Sequence, residues 1–274
     1  MKKWDIDFIT EDQFRQHVAE TIRKYGDSLI SYDLRKFNSN IIDPIKLIFD
    51  RSVYGASWEE IISNEIFRQR DKSNNNSIGY FHQHMFKMID KCEVPEAGWD
   101  VIYRNAGAIK FEGCEPVSTV YVEMKNKHNT MNSSSSAKTY IKAQNQLLQD
   151  DDCVCCLVEA IAKRSQNTIW KAKVDGVNVS HRRIRRLSID QFYTLVTGDD
   201  KAFFKICMAL PEAINEVTKG SGNVDIPEDT VYKELKDKAE KLNLDDNELA
   251  IAIAVYLLGF SSYSGFNDIA NEVE

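Results

Sequence analysis

Glu123 and Lys125 are the two residues of this chain whose types and spacing are best suited to chemistry. Apolar residues alternate with them through residues 119–125, which predicts a β-strand with both side chains on its polar face. The two would then lie roughly 6.5 Å apart along the strand. Asp100 belongs to an earlier strand-like segment, residues 99–103, which could pair antiparallel with the first strand and add a second carboxylate. Two acids and a lysine on one polar face are suited to a Mg²⁺ site for hydrolysis.

The alternative is that Glu123 and Lys125 form an exposed ion pair on the strand without a catalytic role. An acid followed at a loose distance by Glu-x-Lys is common in any charged chain, so the pattern alone does not decide. In the hydrolytic interpretation, Asp100 and Glu123 hold the metal ion, while Lys125 orients the attacking water and stabilises developing charge.

The arrangement resembles the PD-(D/E)XK nuclease motif, in which an Asp and a Glu/Asp-x-Lys sequence lie on neighbouring strands. The matching residues are Asp100, Glu123 and Lys125, and Trp99 stands where the family often has proline. Because of that difference, Asp90 remains an alternative to Asp100 as the first acid.

Several longer polar segments carry a wider resemblance over roughly residues 5–215. They are similar to segments of type II restriction endonucleases of the subfamily that cuts GGNCC-type sites, and they comprise residues 37–44, 71–74, 79–83, 123–133, 192–198 and 210–211. The resemblance implies a Mg²⁺-dependent enzyme that cleaves double-stranded DNA, built on an α/β restriction-endonuclease-like core with a mixed sheet flanked by helices. It also implies a homodimer, because a near-palindromic site is matched most simply by a twofold axis, and a cognate DNA methyltransferase as genetic partner.

Two rival functions stay open at this point. One is a repair nuclease of the same fold that acts on structured DNA, and the other is a non-catalytic DNA-binding protein in which Glu123 and Lys125 are structural. Metal-dependent cutting of a plasmid into discrete fragments would separate all three.

Further residues are candidates for the metal and for DNA. Glu65, on a predicted helix, is a candidate third metal ligand because similar nucleases often use an acid from an N-terminal helix; the alternative is an ordinary helix-surface glutamate. DNA contacts are predicted for two segments, one directly after the predicted catalytic strand and one in the basic run at residues 181–186. The arginines of the basic run could read guanine or bind phosphate. The alternative is that both segments are polar loops exposed to solvent. The predicted DNA-binding residues are Asn126, Lys127, His128, Asn129, Arg182, Arg183, Arg185 and Arg186.

The net charge of −7 does not exclude DNA binding, because the acidity is confined to one end of the chain. Residues 225–274 contain 12 acids and 4 lysines, a net charge of −8, which leaves +1 for the other residues. No basic and then apolar leader begins the sequence, and the longest apolar run, residues 249–260, is about half the length of a membrane-spanning helix. We therefore expect a cytoplasmic protein that does not enter a membrane.

The six cysteines do not follow zinc-ligand spacing, and the cluster at residues 153–156 lies in an apolar run typical of a central strand. We expect reduced, buried thiols. Residues 137–148 are expected to form a helix between the catalytic strand and that central strand. A linker is expected at residues 220–222, so that residues 1–220 form the catalytic domain and residues 221–274 an acidic helical extension.

Overall fold

The computed structural model describes residues 4–28, 30–128, 130–221, 228–261 and 266–273. The chain forms two compact units, one of residues 1–23 and 76–222 and one of residues 24–75 and 223–274. The boundary predicted at residue 220 separates only the C-terminal segment from the rest of the chain. In the structure, residues 24–75 belong to the same unit as that segment.

A mixed sheet forms the centre of the first unit. Its strands are β1 (Cys92–Glu93), β2 (Val101–Ile109), β3 (Val117–Lys127), β4 (Cys153–Ile161), β5 (Asn167–Val174) and β6 (Val177–Ser188). They are arranged in the order β1-β2-β3-β4-β6-β5. The inner pairs β3–β4 and β4–β6 are parallel, whereas the outer pairs are antiparallel. This arrangement confirms the predicted α/β class with a mixed sheet.

Helices cover both faces of this sheet, which buries the side chains of its central strands. On one face, Tyr140 of α5 (Ser133–Gln149) packs in a core cluster with Leu157 and Trp170. On the other, β-strand residues such as Val122 pack with a second set of helices, namely α1 (Glu11–Ser28), the end of α4 (Trp58–Met85), α6 (Ile189–Thr197) and α7 (Ala202–Ser221). A strand buried on both faces reads as a continuous apolar run, as β4 does.

The second unit is helical in its described residues. It contains the first part of α4 together with α2 (Leu34–Asn38), α3 (Pro44–Tyr54), α8 (Val231–Lys241), α9 (Asn247–Phe260) and α10 (Phe266–Val273). One core cluster holds these elements together, including Phe37, Ile62, Leu235 and Val255.

Two helix starts are set by short-range hydrogen bonds that the local sequence indicates. The side chain of Asp43 caps α3 by accepting a bond from the backbone N–H of Lys46 at 3.1 Å. At the start of α4, the N–H of Ser57 donates to Glu60 Oε2 at 2.7 Å, and the N–H of Glu60 donates to Ser57 Oγ at 3.2 Å. This reciprocal pair is the capping box that the sequence indicates.

Two predictions from local sequence patterns are wrong. The polar residues 71–76 favour a turn, but α4 runs through them, because Ser, Asn and Asp weaken a helix without forbidding it. Asn75 even donates to the backbone oxygen of Asp71 one turn earlier, at 2.9 Å. Pro211 favours the end of a helix, but α7 continues to Ser221, since the residues on either side of the proline, such as Ala209 and Ala213, are buried in the core.

The basic run 181–186 forms the second half of strand β6, beside the central strand β4. Charged residues are uncommon in such a strand, so the local pattern does not indicate one there. Contact of its arginines with DNA stays a prediction.

The cysteines are free thiols, and Cys153, Cys155 and Cys156 are buried, as expected. Burial raises the pKa of the Cys156 thiol, which keeps it protonated and unreactive. In the described part of the chain, no helix is both long enough and apolar enough to cross a membrane.

Candidate active site

The pairing of β2 with β3 brings the predicted acids together. Val101 lies opposite Val122 in this antiparallel pair, and Asp100 directly precedes β2. The backbone N–H of Asp100 donates to the carbonyl of Val122 at 2.9 Å, so Asp100 is bonded to β3 next to Glu123. The negative charge of Glu123 acts on the Asp100 carboxyl, which places the two acids near one another.

Asp100 is fixed by backbone contacts on both sides. Its Oδ2 accepts a hydrogen bond from the N–H of Met124 at 2.7 Å, and its carbonyl accepts one from Gln83 Nε2 at 3.1 Å. Burial raises the pKa of Asp100, the bond from Met124 opposes that effect, and the nearby charge of Glu123 adds to it. The carboxyl is thus held in a site where a positive charge would stabilise its ionised form.

Glu123 is held between two ammonium groups. Lys125 Nζ donates to Oε1 at 2.7 Å, and Lys142 Nζ donates to Oε2 at 2.7 Å. Burial alone would raise the pKa of Glu123, but the two lysine hydrogen bonds outweigh it and lower that pKa below its ordinary value. Glu123 is therefore ionised at neutral pH although its side chain is only 17% exposed.

Lys142, on α5, is a member of this cluster that the sequence prediction missed. Its ammonium also donates to the carbonyl of Gly98 at 2.7 Å and lies 4.1 Å from the ring centroid of Trp99. Trp99 is itself held by a bond from its Nε1 to Gln146 Oε1, 3.0 Å long and one turn further along α5. Nothing in the local sequence pairs residue 142 with residue 123, so only the packing of the helix on the sheet reveals the contact.

Asp100 and Glu123 suit a hard divalent cation. Mg²⁺ is usually bound through one or two carboxylates, with waters and substrate phosphate oxygens completing its coordination. The described residues contain no group of three or more His, Cys, Asp or Glu that could hold a metal by itself. The two lysines bonded to Glu123 show that this position attracts positive charge.

Glu65, the predicted third acid, lies in the second unit and is only 7% exposed. Its Oε1 and Oε2 accept bonds from the guanidinium of Arg68, and Oε1 accepts a further bond from Gln69 Nε2 at 3.2 Å. Its role as a metal ligand stays a prediction.

The predicted DNA-binding residues after the catalytic strand differ in exposure. Lys127 is exposed, His128 is partly exposed, and Asn126 is half-buried with its Oδ1 buried and without a hydrogen-bond partner in the described structure. Asn129 lies outside the described residues.

The four arginines of β6 divide into two pairs. Arg182 is exposed, and Arg183 is half-buried and donates to the carbonyl of Asp151. Arg185 is 3% exposed and donates to Asn167 and to a backbone carbonyl, with its guanidinium 5.5 Å from the ring centroid of Phe111.

Arg186 is bonded to the buried carboxylate of Glu159. In this arrangement the donors of Arg185 and Arg186 bond to groups within the protein, so Arg182 and Arg183 are the better candidates for contact with DNA. Glu159, which the sequence prediction also missed, lies in the apolar strand β4, where no periodic pattern marks a charged residue.

Comparison with known proteins identifies the family. Residues 6–219 match the family described as Eco47II restriction endonuclease. The chain is 27% identical to the type II restriction enzyme Sau96I of Staphylococcus aureus over 219 residues, which covers 77% of this chain and 80% of that protein. It is also 27% identical to the type II restriction enzyme Eco47II of Escherichia coli over 222 residues, covering 77% of this chain and 87% of that protein. With more than half of its residues matched, and with the mixed sheet described above, the chain belongs to the Eco47II family of type II restriction endonucleases, which are DNA-cleaving hydrolases.

Proposed function

We propose that this enzyme hydrolyses double-stranded DNA at a GGNCC-type site in a Mg²⁺-dependent reaction, with Asp100, Glu123 and Lys125 as its catalytic residues. The observation that supports the proposal is the position of the Asp100 carboxylate against β3, where it accepts a bond from the N–H of Met124 beside Glu123 and its bonded Lys125. The site sequence rests on the polar segments that resemble the GGNCC-cutting subfamily.

The metal is assigned from the chemistry of the donors. Restriction endonucleases of this kind generally need a divalent metal ion, and two carboxylate oxygens with a substrate phosphate are typical of Mg²⁺. When bound, the ion supplies positive charge to the phosphate and lowers the pKa of a bound water. Asp100 and Glu123 would hold it, and Lys125 would keep the attacking water in line and stabilise the charge that develops on the phosphate oxygens.

DNA contacts are proposed at the exposed end of β3 and at the exposed part of β6. Lys127 and His128 follow the catalytic strand directly, which suits them to the phosphates around the cleaved bond. Arg182 and Arg183 lie where β6 is accessible and are suited to either phosphate or guanine.

Digestion of a plasmid of known sequence tests the proposal. We expect discrete fragments whose mapped ends all fall at GGNCC-type sites, with Mg²⁺ present, and no cutting with a chelator. Ends at unrelated sequences would contradict the proposed specificity, and cutting that persists with chelator would contradict the proposed requirement for Mg²⁺. A neighbouring gene for a cytosine methyltransferase would add support from the genome.

Assembly as a homodimer follows from the symmetry of such a site, because one catalytic face cuts one strand. We propose that the acidic residues 225–274 lie away from the DNA, because they would repel phosphate. Light scattering of the enzyme on cognate DNA should give the mass of two chains, and crosslinks from this segment to the DNA backbone would contradict its placement.

A further inference from the structure

A buried cluster of charges lies directly beside the catalytic strand. In the parallel pair β3–β4, Glu159 is opposite Lys125, so its side chain lies on the same sheet face as the candidate site. Its side chain is 0% exposed. Arg186 of β6 reaches it with a fork of two bonds, one from Nε to Oε2 at 3.0 Å and one from Nη2 to Oε1.

The cluster does not form part of the metal site. Both oxygens of Glu159 already accept bonds from Arg186, and a buried carboxylate that gave up this partner would leave an unpaired buried charge. What the cluster does contact is His128, whose Nδ1 lies 2.8 Å from Arg186 Nη2 and 3.1 Å from Glu159 Oε2.

The two contacts make opposite demands on Nδ1 of His128, because Arg186 Nη2 can only donate a hydrogen bond and the Glu159 carboxylate can only accept one. The contact with Arg186 is the shorter, and a protonated Nδ1 would place two N–H groups face to face at 2.8 Å. The geometry therefore favours an Nδ1 that carries no proton and accepts from Arg186, with the proton of the neutral ring on Nε2.

The other side of the imidazole is available to a ligand. His128 is 21% exposed, and Nε2 has no hydrogen-bond partner among the described residues. The backbone N–H of His128 donates to the carbonyl of Ile161 at 3.0 Å, which fixes the residue to β4 just beyond the end of β3. It lies three positions after Lys125, or about 10 Å along an extended chain.

We propose that Glu159 and Arg186 are positioning residues that fix His128 in its Nε2–H form and direct this donor to a DNA phosphate near the cleaved bond. The pair acts through His128 and does not touch the DNA itself. The inference rests on the proposed cleavage of DNA, and it replaces the expectation that Arg186 reads a base.

The tautomer can be measured without DNA. A long-range ¹H–¹⁵N spectrum of enzyme labelled at its five histidines should show His128 as the Nε2–H tautomer near pH 8, with its signals assigned by their loss in His128→Gln. Arg186→Lys keeps a positive charge for Glu159 but has no fork, so we expect a mixture of tautomers in this variant. A wild-type spectrum with the proton on Nδ1 would overturn the positioning role. If Arg186→Lys does not fold, the wild-type spectrum and the His128 variants still decide.

Two substitutions of His128 test the contact with DNA, because each keeps a polar group near a different nitrogen of the ring. Glutamine places an amide N–H about where Nε2 lies, whereas asparagine places its amide about where Nδ1 lies. With chelator present to prevent cutting, we expect His128→Asn to weaken binding of duplex DNA about tenfold and His128→Gln to remain within about threefold of wild type, as for loss of a single charge-assisted hydrogen bond. Both effects should be the same on cognate and unrelated DNA.

The outcomes separate this inference from the proposed function. Equal binding by wild type and both His128 variants, in an enzyme that still cuts its site, would overturn the inference alone. Weakening on cognate DNA only would overturn the assignment to phosphate. An enzyme that cuts no DNA under any condition would overturn the proposed function, while its spectrum would still report whether Arg186 fixes the imidazole.

Discussion

Two carboxylates on the same face of the sheet, Glu123 and Glu159, each lie beside two basic side chains, but with different contacts and different burial. Glu123 keeps some exposure and is held by Lys125 and Lys142, which are themselves partly exposed. Glu159 is fully buried and is bonded by the fork of Arg186, with Nδ1 of His128 at 3.1 Å from its Oε2. The two acids are in adjacent strands and only two positions apart in register.

The difference shows which surroundings suit an acidic side chain for catalysis and which suit it for a structural role. Lysine is a flexible point charge that rotates away at little cost, so a metal ion can replace one ammonium at Glu123. Arginine binds both carboxylate oxygens in a fixed plane, and displacing it from a buried partner costs several kcal/mol. Burial and the kind of cation therefore separate the two sites, although both are acids with two basic neighbours.

The largest effect is expected from Glu123→Ala. Removal of this carboxylate should lower the rate of DNA cleavage by about 10³-fold or more, because it takes away one of two metal ligands and the partner of Lys125. The free energy of unfolding should change by about 1 kcal/mol or less, since the lysines that it leaves are partly exposed. Cleavage assays and urea unfolding measure the two quantities. Full activity of the purified variant would refute the site.

Glu159→Ala should show the opposite pattern in stability. We expect a loss of about 3 kcal/mol in the free energy of unfolding, because the fork is lost and Arg186, whose side chain is only 22% exposed, is left without its partner. The matched control is Glu93→Ala, which breaks the exposed pair with Arg104 and should cost about 1 kcal/mol or less. Urea unfolding of the wild type and of both variants measures the two losses in the free energy of unfolding. A loss at Glu159 no greater than that at Glu93 would show that the buried cluster is not a structural anchor.

Lys142→Ala should have an intermediate effect on cleavage. Its ammonium fixes Oε2 of Glu123 through contacts with Gly98 and Trp99, so its loss frees the carboxylate to rotate. We expect the cleavage rate to fall about tenfold, as for a misplaced catalytic group. Lys138→Ala on the same helix is the control, because Lys138 is exposed, and it should cut like wild type. Identical rates for all three enzymes would argue that Lys142 does not position Glu123.

The contrast between the two acids also explains what could be read from the sequence. The proximity of Glu123, Lys125 and Asp100 could be predicted because alternation along a strand and antiparallel pairing are short-range properties of the backbone. The cluster of Glu159, Arg186 and His128 was not predicted, because its members lie in β4, in β6 and just after β3, and the order of these strands in the sheet does not follow the chain.

The same reason accounts for the errors in the elements. The capping boxes that begin helices were recognised, whereas the course of α4 through residues 71–76 and of α7 through Pro211 depends on packing, which outweighs local propensity. The association of residues 24–75 with the C-terminal segment also depends on contacts between distant parts of the chain, and the sequence shows no local sign of it.

The smallest effect concerns the exposed half of the strand that holds Arg186. Arg182 is exposed, which makes its guanidinium accessible to DNA, and its backbone carbonyl accepts a hydrogen bond from Cys114 Sγ at 3.4 Å. If it clamps phosphate, Arg182→Ala should weaken cognate and unrelated DNA alike and reduce the slope of log affinity against log salt by about one. Lys233→Ala removes the same charge from the acidic segment and should leave the slope unchanged, because we place that segment away from DNA. Binding titrations at several salt concentrations measure both slopes. A loss confined to cognate DNA would instead indicate that Arg182 reads a base, and equal slopes for all three proteins would remove it from the interface.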